Sequence, residues 1–247
     1  MKFSTNYRVK WHDTDCNRRV RPSQIMMYMQ ETANRHLAAY AMCLDDLRDT
    51  RGIAFILSRA SVEIYRDLHD GDEITVTTWI TDSRGMSFNR CFCITRGEER
   101  IAEAFTVWAL LDIREKKLLR TQQFQYPFDG DAPLTLSIPT RVHLPSTVSL
   151  EKAGERRIAY ADIDYNHHMN NTHYPDMLCD FTPDILMRRV RGFTLSYLHE
   201  ATYGHTLDVY RAPAEGGYTF RTIDGDGTVC LEALLLLENK TAEGETV

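Results

Sequence analysis

The sequence predicts an α+β protein made of two tandem copies of one unit, each a helix followed by antiparallel strands. Three observations support this. The spacing D-x-D-x-N occurs twice, as Asp13, Asp15, Asn17 and again as Asp162, Asp164, Asn166. Each copy precedes a candidate helix and then four strand-like runs, so the order of elements repeats along with the motif. Between the copies fall four of the eight prolines, Pro127, Pro133, Pro139 and Pro145, in a stretch with neither helical nor strand periodicity.

In chain order, Tyr7 to His12 reads as a short strand leading into the first motif. Pro22 and Ser23 then introduce a helix to about Met42, with Ser23 as its cap and Ile25, Met26, Met29, Ala33, Leu37 and Tyr40 at helical spacing. Residues 54–64, 73–82, 87–96 and 102–113 are rich in Val, Ile, Thr, Phe and Trp and read as strands. Prolines at regular intervals make 126–152 an extended linker, too long for a loop inside one domain. The second copy repeats the plan: a strand at 156–160, the motif, a helix to about Ile185, and strands at 190–200, 206–211, 217–223 and 228–238. Gly71 and Gly204 sit at like places, each between the first and second long strands. The predicted units are therefore 1–125 and 153–247.

Composition narrows the function. A hydrophobic share of 43% and a charged share of 26% are those of an ordinary globular chain, and a net charge of -6 argues against a general nucleic-acid binder. No apolar run is long enough to span a membrane and MKFSTNYRVK lacks a signal-peptide core, so a cytoplasmic location is expected. The six cysteines form no C-x-x-C pair, which favours reduced thiols over a disulfide framework or zinc ribbon.

The stretch from Tyr160 to Leu178 carries the chemistry. Asp164, Asn166 and His168 alternate, so on an extended backbone all three would face one way, and an acid, an amide and an imidazole can handle protons around a carbonyl. The same composition also serves a polar loop that caps a helix. Adjacent His167 and His168 would face opposite ways, and nothing completes a coordination set, so neither metal nor cofactor is expected.

The run D-I-D-Y-N-H-H-M-N-N resembles the D-x-D-x-N-x-H-x-N-N signature of the acyl-ACP thioesterases of plants and bacteria. Asp162, Asp164, Asn166, His168, Asn170 and Asn171 fall on its fixed positions. Phe193 to Ala201, F-T-L-S-Y-L-H-E-A, resembles the family's L-x-Y-x-x-E strand, which puts Glu200 on the catalytic glutamate position. Two features depart from the family: Ala201 stands where some members have a cysteine, and Pro175 interrupts the second helix. The likeness covers roughly residues 5–240.

This resemblance implies a tandem (double) hotdog, two long helices each wrapped by an antiparallel sheet, the sheets pairing into one continuous surface. It implies hydrolysis of fatty acyl-ACP, with Asp164 as nucleophile or base, Glu200 and His168 activating water, and Asn166 donating to the carbonyl. Met26, Met29, Glu31, Asn170 and Asn171 are the implied substrate-contacting residues, with Asn34 beside Glu31. The implied partner is acyl carrier protein, an acidic protein, for which Arg188, Arg189 and Arg191, or Arg18, Arg19 and Arg21, offer basic clusters. Arg19 stands in place of His168 in the first copy, and a guanidinium is no base at neutral pH, so that copy would be inert and shape the acyl pocket. Other readings are an acyl-CoA thioesterase or a non-catalytic hotdog that binds acyl thioesters. A homodimer is possible in this fold.

Overall fold

The structure, a computed structural model, describes residues 1–239, which divide into two compact units, one of Met1–Thr140 and one beginning at Arg141. The boundary falls inside the proline-containing stretch.

Unit 1 runs β1 (Phe3–Arg8), α1 (Pro22–Ala38), α2 (Leu44–Asp49), β2 (Ile53–Ile64), β3 (Glu73–Ile80), β4 (Phe88–Arg96), β5 (Glu99–Asp112) and β6 (Lys117–Leu119). All pairings are antiparallel, in the order β1-β3-β4-β5-β2, with β6 also on β5. The helix α1 packs on β1 and β3. It buries Ile25, Met26, Met29, Ala33 and Leu37 along one face, while Ile74, Phe88, Phe92, Ile94, Ile101 and Leu110 fill the core from the sheet. Each such side chain contributes about 1.5–3 kcal/mol when fully buried, which is what fixes the helix in place.

Unit 2 runs β7 (Glu151–Arg157), α3 (Tyr174–Asp180), β8 (Arg188–Tyr197), β9 (Thr206–Ala214), β10 (Gly217–Ile223) and β11 (Val229–Asn239). Its antiparallel order is β7-β9-β10-β11-β8, the connectivity of unit 1 strand for strand. The glycines share the symmetry. Gly71 (φ 87°) and Gly204 (φ 83°) adopt a left-handed conformation that other residues adopt only at a cost. Their N–H groups reach Val9 and Ile158 carbonyls at 3.0 and 2.9 Å, tying the strand after the helix to the strand before it.

Several elements differ from expectation. The second helix is not long: α3 has seven residues, entered through a 3-10 turn at Asn171–His173. Pro175 fits its first turn without loss. Pro183, however, disfavours helical backbone at Thr182, and Thr182 instead donates its hydroxyl to the Leu178 carbonyl at 2.8 Å. The first helix ends at Ala38, and the short α2 follows. The N-cap of α1 is Arg21 with Pro22 in the first turn, and Ser23 lies buried inside the helix rather than capping it. The strand β7 begins at Glu151, within the expected linker, and β8 stops at Tyr197, short of Glu200.

The expected linker is extended yet laid against the sheets. In unit 1, Trp79 donates its indole N–H to the Ala132 carbonyl (2.8 Å), Ser61 its hydroxyl to Pro139 (3.2 Å), and Ser137 its N–H to Glu63 (2.9 Å). In unit 2, Ser196 donates to the Val142 carbonyl (2.9 Å), the Leu144 N–H to Glu232 (3.1 Å), and Arg221 to the Leu144 carbonyl (2.6 Å). A proline-rich segment cannot join a ladder, so side chains of the sheet satisfy its backbone instead.

Candidate active site

The second motif forms a tight turn rather than an extended strand. The Asp164 N–H donates to the His168 carbonyl (3.0 Å), the His167 N–H to the Asp164 carbonyl (3.0 Å), and the Asn166 N–H to Asp164 Oδ1 (2.8 Å). His167 takes φ 68°, the left-handed region, at the turn's corner. The alternation expected of Asp164, Asn166 and His168 therefore does not hold, because the chain reverses between them. Asp164 and His168 are instead the two ends of the turn, and the corner leaves His167 exposed.

The preceding aspartate holds the base of the turn. Asp162 is 4% exposed. Its Oδ2 accepts the Ala159 N–H (2.9 Å) and its Oδ1 pairs with Arg156 (2.6 Å), while its carbonyl accepts the Asn170 N–H (2.8 Å). Asn170 in turn caps the short helical entry, its Oδ1 accepting the Thr172 N–H at 3.0 Å and the Thr172 hydroxyl at 2.9 Å. The Asn171 carbonyl accepts the Tyr197 hydroxyl at 2.7 Å. Both asparagines thus serve the start of the helix through these bonds.

What makes the turn a site is the segment after β8 that it leans on. Met169 donates its N–H to the Ala201 carbonyl (2.7 Å), and His168 bridges to Thr202. This brings His168 Nε2 to 2.9 Å from Glu200 Oε2. Both side chains remain open to solvent, at 31% and 56% exposure, so a water or a substrate carbonyl can reach them. Behind them, Tyr174 and Tyr197 meet edge to face at 5.4 Å. Burial drives the acidity of both phenols down, and the Glu200 charge adds to the effect at Tyr174. Neither phenol is an acid at neutral pH.

Unit 1 repeats the geometry with different chemistry. Asp15 accepts the Asn17 N–H (2.7 Å) and donates its own N–H to the Arg19 carbonyl (2.7 Å), with Arg18 at φ 62°. Asp13 accepts the Lys10 N–H (2.8 Å), and Val20 donates to the Leu68 carbonyl (2.9 Å). Arg19 then pairs with Asp67 at 3.2 Å, in the places of His168 and Glu200. Asp67 escaped the sequence reading. The signal was available, because Asp67 and Glu200 each lie four residues before the paired glycines Gly71 and Gly204. Where Arg156 holds Asp162, the Tyr28 hydroxyl of α1 holds Asp13 (2.5 Å).

The remaining expected residues are described within their own units. Met26 and Met29 are 1% and 2% exposed in the core of unit 1. Glu31 and Asn34 are on the exposed face of α1, Glu31 paired with Arg35 at 2.8 Å. Arg188, Arg189 and Arg191 lie on β8, with Arg189 paired to Glu238 and Arg188 over the Tyr218 ring at 5.9 Å. Among the described residues no group of three or more His, Cys, Asp or Glu is placed to hold a metal ion.

Solved thioesterases share this fold. The chain superposes on an acyl-ACP thioesterase from Bacteroides thetaiotaomicron with a TM-score of 0.86 at 19% identity, covering 96% of this chain and 98% of that one. The 12:0-ACP thioesterase from Umbellularia californica matches with a TM-score of 0.79 at 20% identity, covering 97% and 98%. Residues 1–123 match the acyl-ACP thioesterase N-terminal domain and 147–231 the acyl-ACP thioesterase C-terminal domain, and the chain belongs to that family. Its relatives include an acyl-[acyl-carrier-protein] hydrolase of Cuphea viscosissima, 22% identical over 84% of this chain and 54% of that protein. Another is a palmitoyl-acyl carrier protein thioesterase of Cuphea hookeriana, 23% identical over 87% of this chain and 56% of that protein. The chain thus spans little more than half the length of the curated relatives it matches.

Proposed function

We propose that the protein hydrolyses fatty acyl-ACP to free fatty acid and acyl carrier protein, with the chemistry in unit 2. The observation that carries this reading is the His168–Glu200 contact at 2.9 Å, set at the end of a turn that unit 1 repeats with an ion pair. Glu200 accepts from Nε2–H and so favours the tautomer in which Nδ1 is basic. His168 takes a proton from water as the water oxygen bonds to the thioester carbonyl carbon. The tetrahedral oxyanion is met by the Asn166 amide. It collapses with cleavage of the C–S bond, and the thiolate leaves carrying the proton from His168. Thiolate is a good leaving group, so a weak base suffices. Asp164 has one oxygen committed to the Asn166 N–H, which suits holding the turn better than attacking the carbonyl.

On this reading each unit is a hotdog, and the enzyme works in the cytoplasm. The carrier protein would meet a basic surface that includes Arg188, Arg189 and Arg191. The test is steady-state hydrolysis of a series of acyl-ACPs and matching acyl-CoAs by wild type and His168→Ala. Release of fatty acid from acyl-ACP, lost in the variant, supports the assignment and gives the chain length. Preference for acyl-CoA would move the carrier, and binding without turnover by the wild type would end the enzyme reading.

A further inference from the structure

We propose that unit 1 contains a separate binding site for a small organic carboxylate with an apolar body, organised around Arg90 and His36. Arg90 lies on β4 and is 4% exposed. Its partners are all neutral: His36 Nδ1 at 3.2 Å, Thr78 Oγ1 at 3.2 Å and the Tyr126 hydroxyl. Among the described residues no carboxylate pairs with it. Enclosing a guanidinium without an anion costs several kcal/mol per ion, and buried charges are ordinarily paired.

His36 sharpens the case. It is fully buried on α1. Burial, and then the charge of Arg90, lower its pKa to about 4, so it is neutral near pH 7. A guanidinium only donates, so Nδ1 must accept from Arg90, and the ring proton must sit on Nε2. Nε2 is buried and has no partner. Two neighbouring groups therefore present donors, and the missing partner is an acceptor. A carboxylate answers both groups, as an acceptor that also supplies the charge Arg90 lacks opposite it.

Residues packed on this pair line a cavity of about 490 Å³, whose wall is Met1, Tyr40, Gln125, Tyr126, Pro127, Phe128 and Asp129. Its wall touches both donor groups. His36 stacks on Phe128 at 4.0 Å and meets Tyr40 edge-on at 5.8 Å, while Tyr126 bonds Arg90. Aromatic walls take an apolar body, and displacement of the Tyr126 hydroxyl would give the carboxylate a planar guanidinium to meet with two bonds. The site is within unit 1 and involves none of the groups assigned to hydrolysis.

The test is calorimetric titration and thermal melting of the full chain with octanoate and with its neutral isostere octanamide. Octanoate should bind saturably and raise the melting temperature, and octanamide should bind at least tenfold more weakly. Arg90→Met should melt no lower than wild type without ligand, since it removes an uncompensated buried charge, and should lose the response to octanoate. Tyr126→Phe should tighten octanoate, because it frees a donor of Arg90. Should Arg90→Met fail to fold, Tyr40→Ala at the wall should weaken octanoate at least fivefold. His168→Ala should bind octanoate as wild type does, so the outcome does not depend on turnover. Equal binding of octanoate and octanamide, or an octanoate response unchanged in the Arg90 variant and in the Tyr40 variant, would overturn the proposal.

Discussion

Arg19 Nε lies 3.2 Å from Asp67 Oδ2, at the end of a turn bonded like the one that sets His168 against Glu200. The two pairs should answer oppositely to mutation. His168→Ala and Glu200→Gln should each lower kcat by about 10²–10⁴ if the imidazole acts as general base, with little change in melting temperature. Arg19→Ala should leave kcat within about twofold and cost roughly 0–1 kcal/mol of stability, the scale of a partly exposed ion pair. Steady-state kinetics beside urea unfolding would check both. A large kcat loss in a folded Arg19→Ala protein would show that unit 1 takes part in the chemistry.

Asp162 is a structural prediction. Its carboxylate joins the Ala159 N–H and the Arg156 guanidinium while 4% exposed. Asp162→Ala leaves both without their acceptor and should cost about 3–5 kcal/mol, as for breaking a buried pair. Tyr28→Phe removes the neutral hydrogen bond at the equivalent Asp13 and should cost about 0.5–1.5 kcal/mol. Chemical denaturation would rank the two, and an equal cost would contradict the assignment.

His36 should make stability depend on pH. Its pKa falls from the usual 6.5 to about 4 in the fold, so below 6.5 the unfolded chain binds more protons than the folded one. Stability is complete above about pH 6.5 and declines as pH falls toward 4, with a limiting slope of about 1.4 kcal/mol per pH unit. Urea midpoints for wild type and His36→Gln between these limits would isolate the effect. Parallel curves would mean that His36 does not carry it.

Glu232 predicts a local opening. It is 3% exposed and receives Arg221, the Leu144 N–H and His143 together. Glu232→Ala should cost about 3–5 kcal/mol by leaving Arg221 uncompensated. It should also admit protease preferentially within 141–150, a segment the side chains of the sheet hold down. Cleavage spread evenly over the chain would indicate global rather than local loss.

Much of this architecture was legible because local chemistry repeats. The strand runs, the two motifs and the Gly71/Gly204 pair each rest on residues close in sequence, where periodicity and turn preference act. His168 and Glu200 were legible as residues, through resemblance, but their contact depends on a chain reversal that alternation could not foresee. Asp67 had no motif of its own. The short second helix follows from Pro183, whose restraint on Thr182 outweighed the apolar spacing that suggested a longer one. The buried Arg90 was invisible, since a lone arginine inside a strand reads as a solvated one until its neighbours are known.

The left-handed corner at Arg18 and His167 has a further consequence. Backbone bonds to aspartates and main-chain carbonyls hold the turn, so its shape owes nothing to the side chain displayed one residue later. Each turn works as a socket into which different fittings can be placed, and this one chain already carries two, an arginine–aspartate salt link and a histidine–glutamate contact. A protein engineer could therefore exchange the fitting in either socket, installing histidine and glutamate at Arg19 and Asp67, without redesigning the loop that presents it.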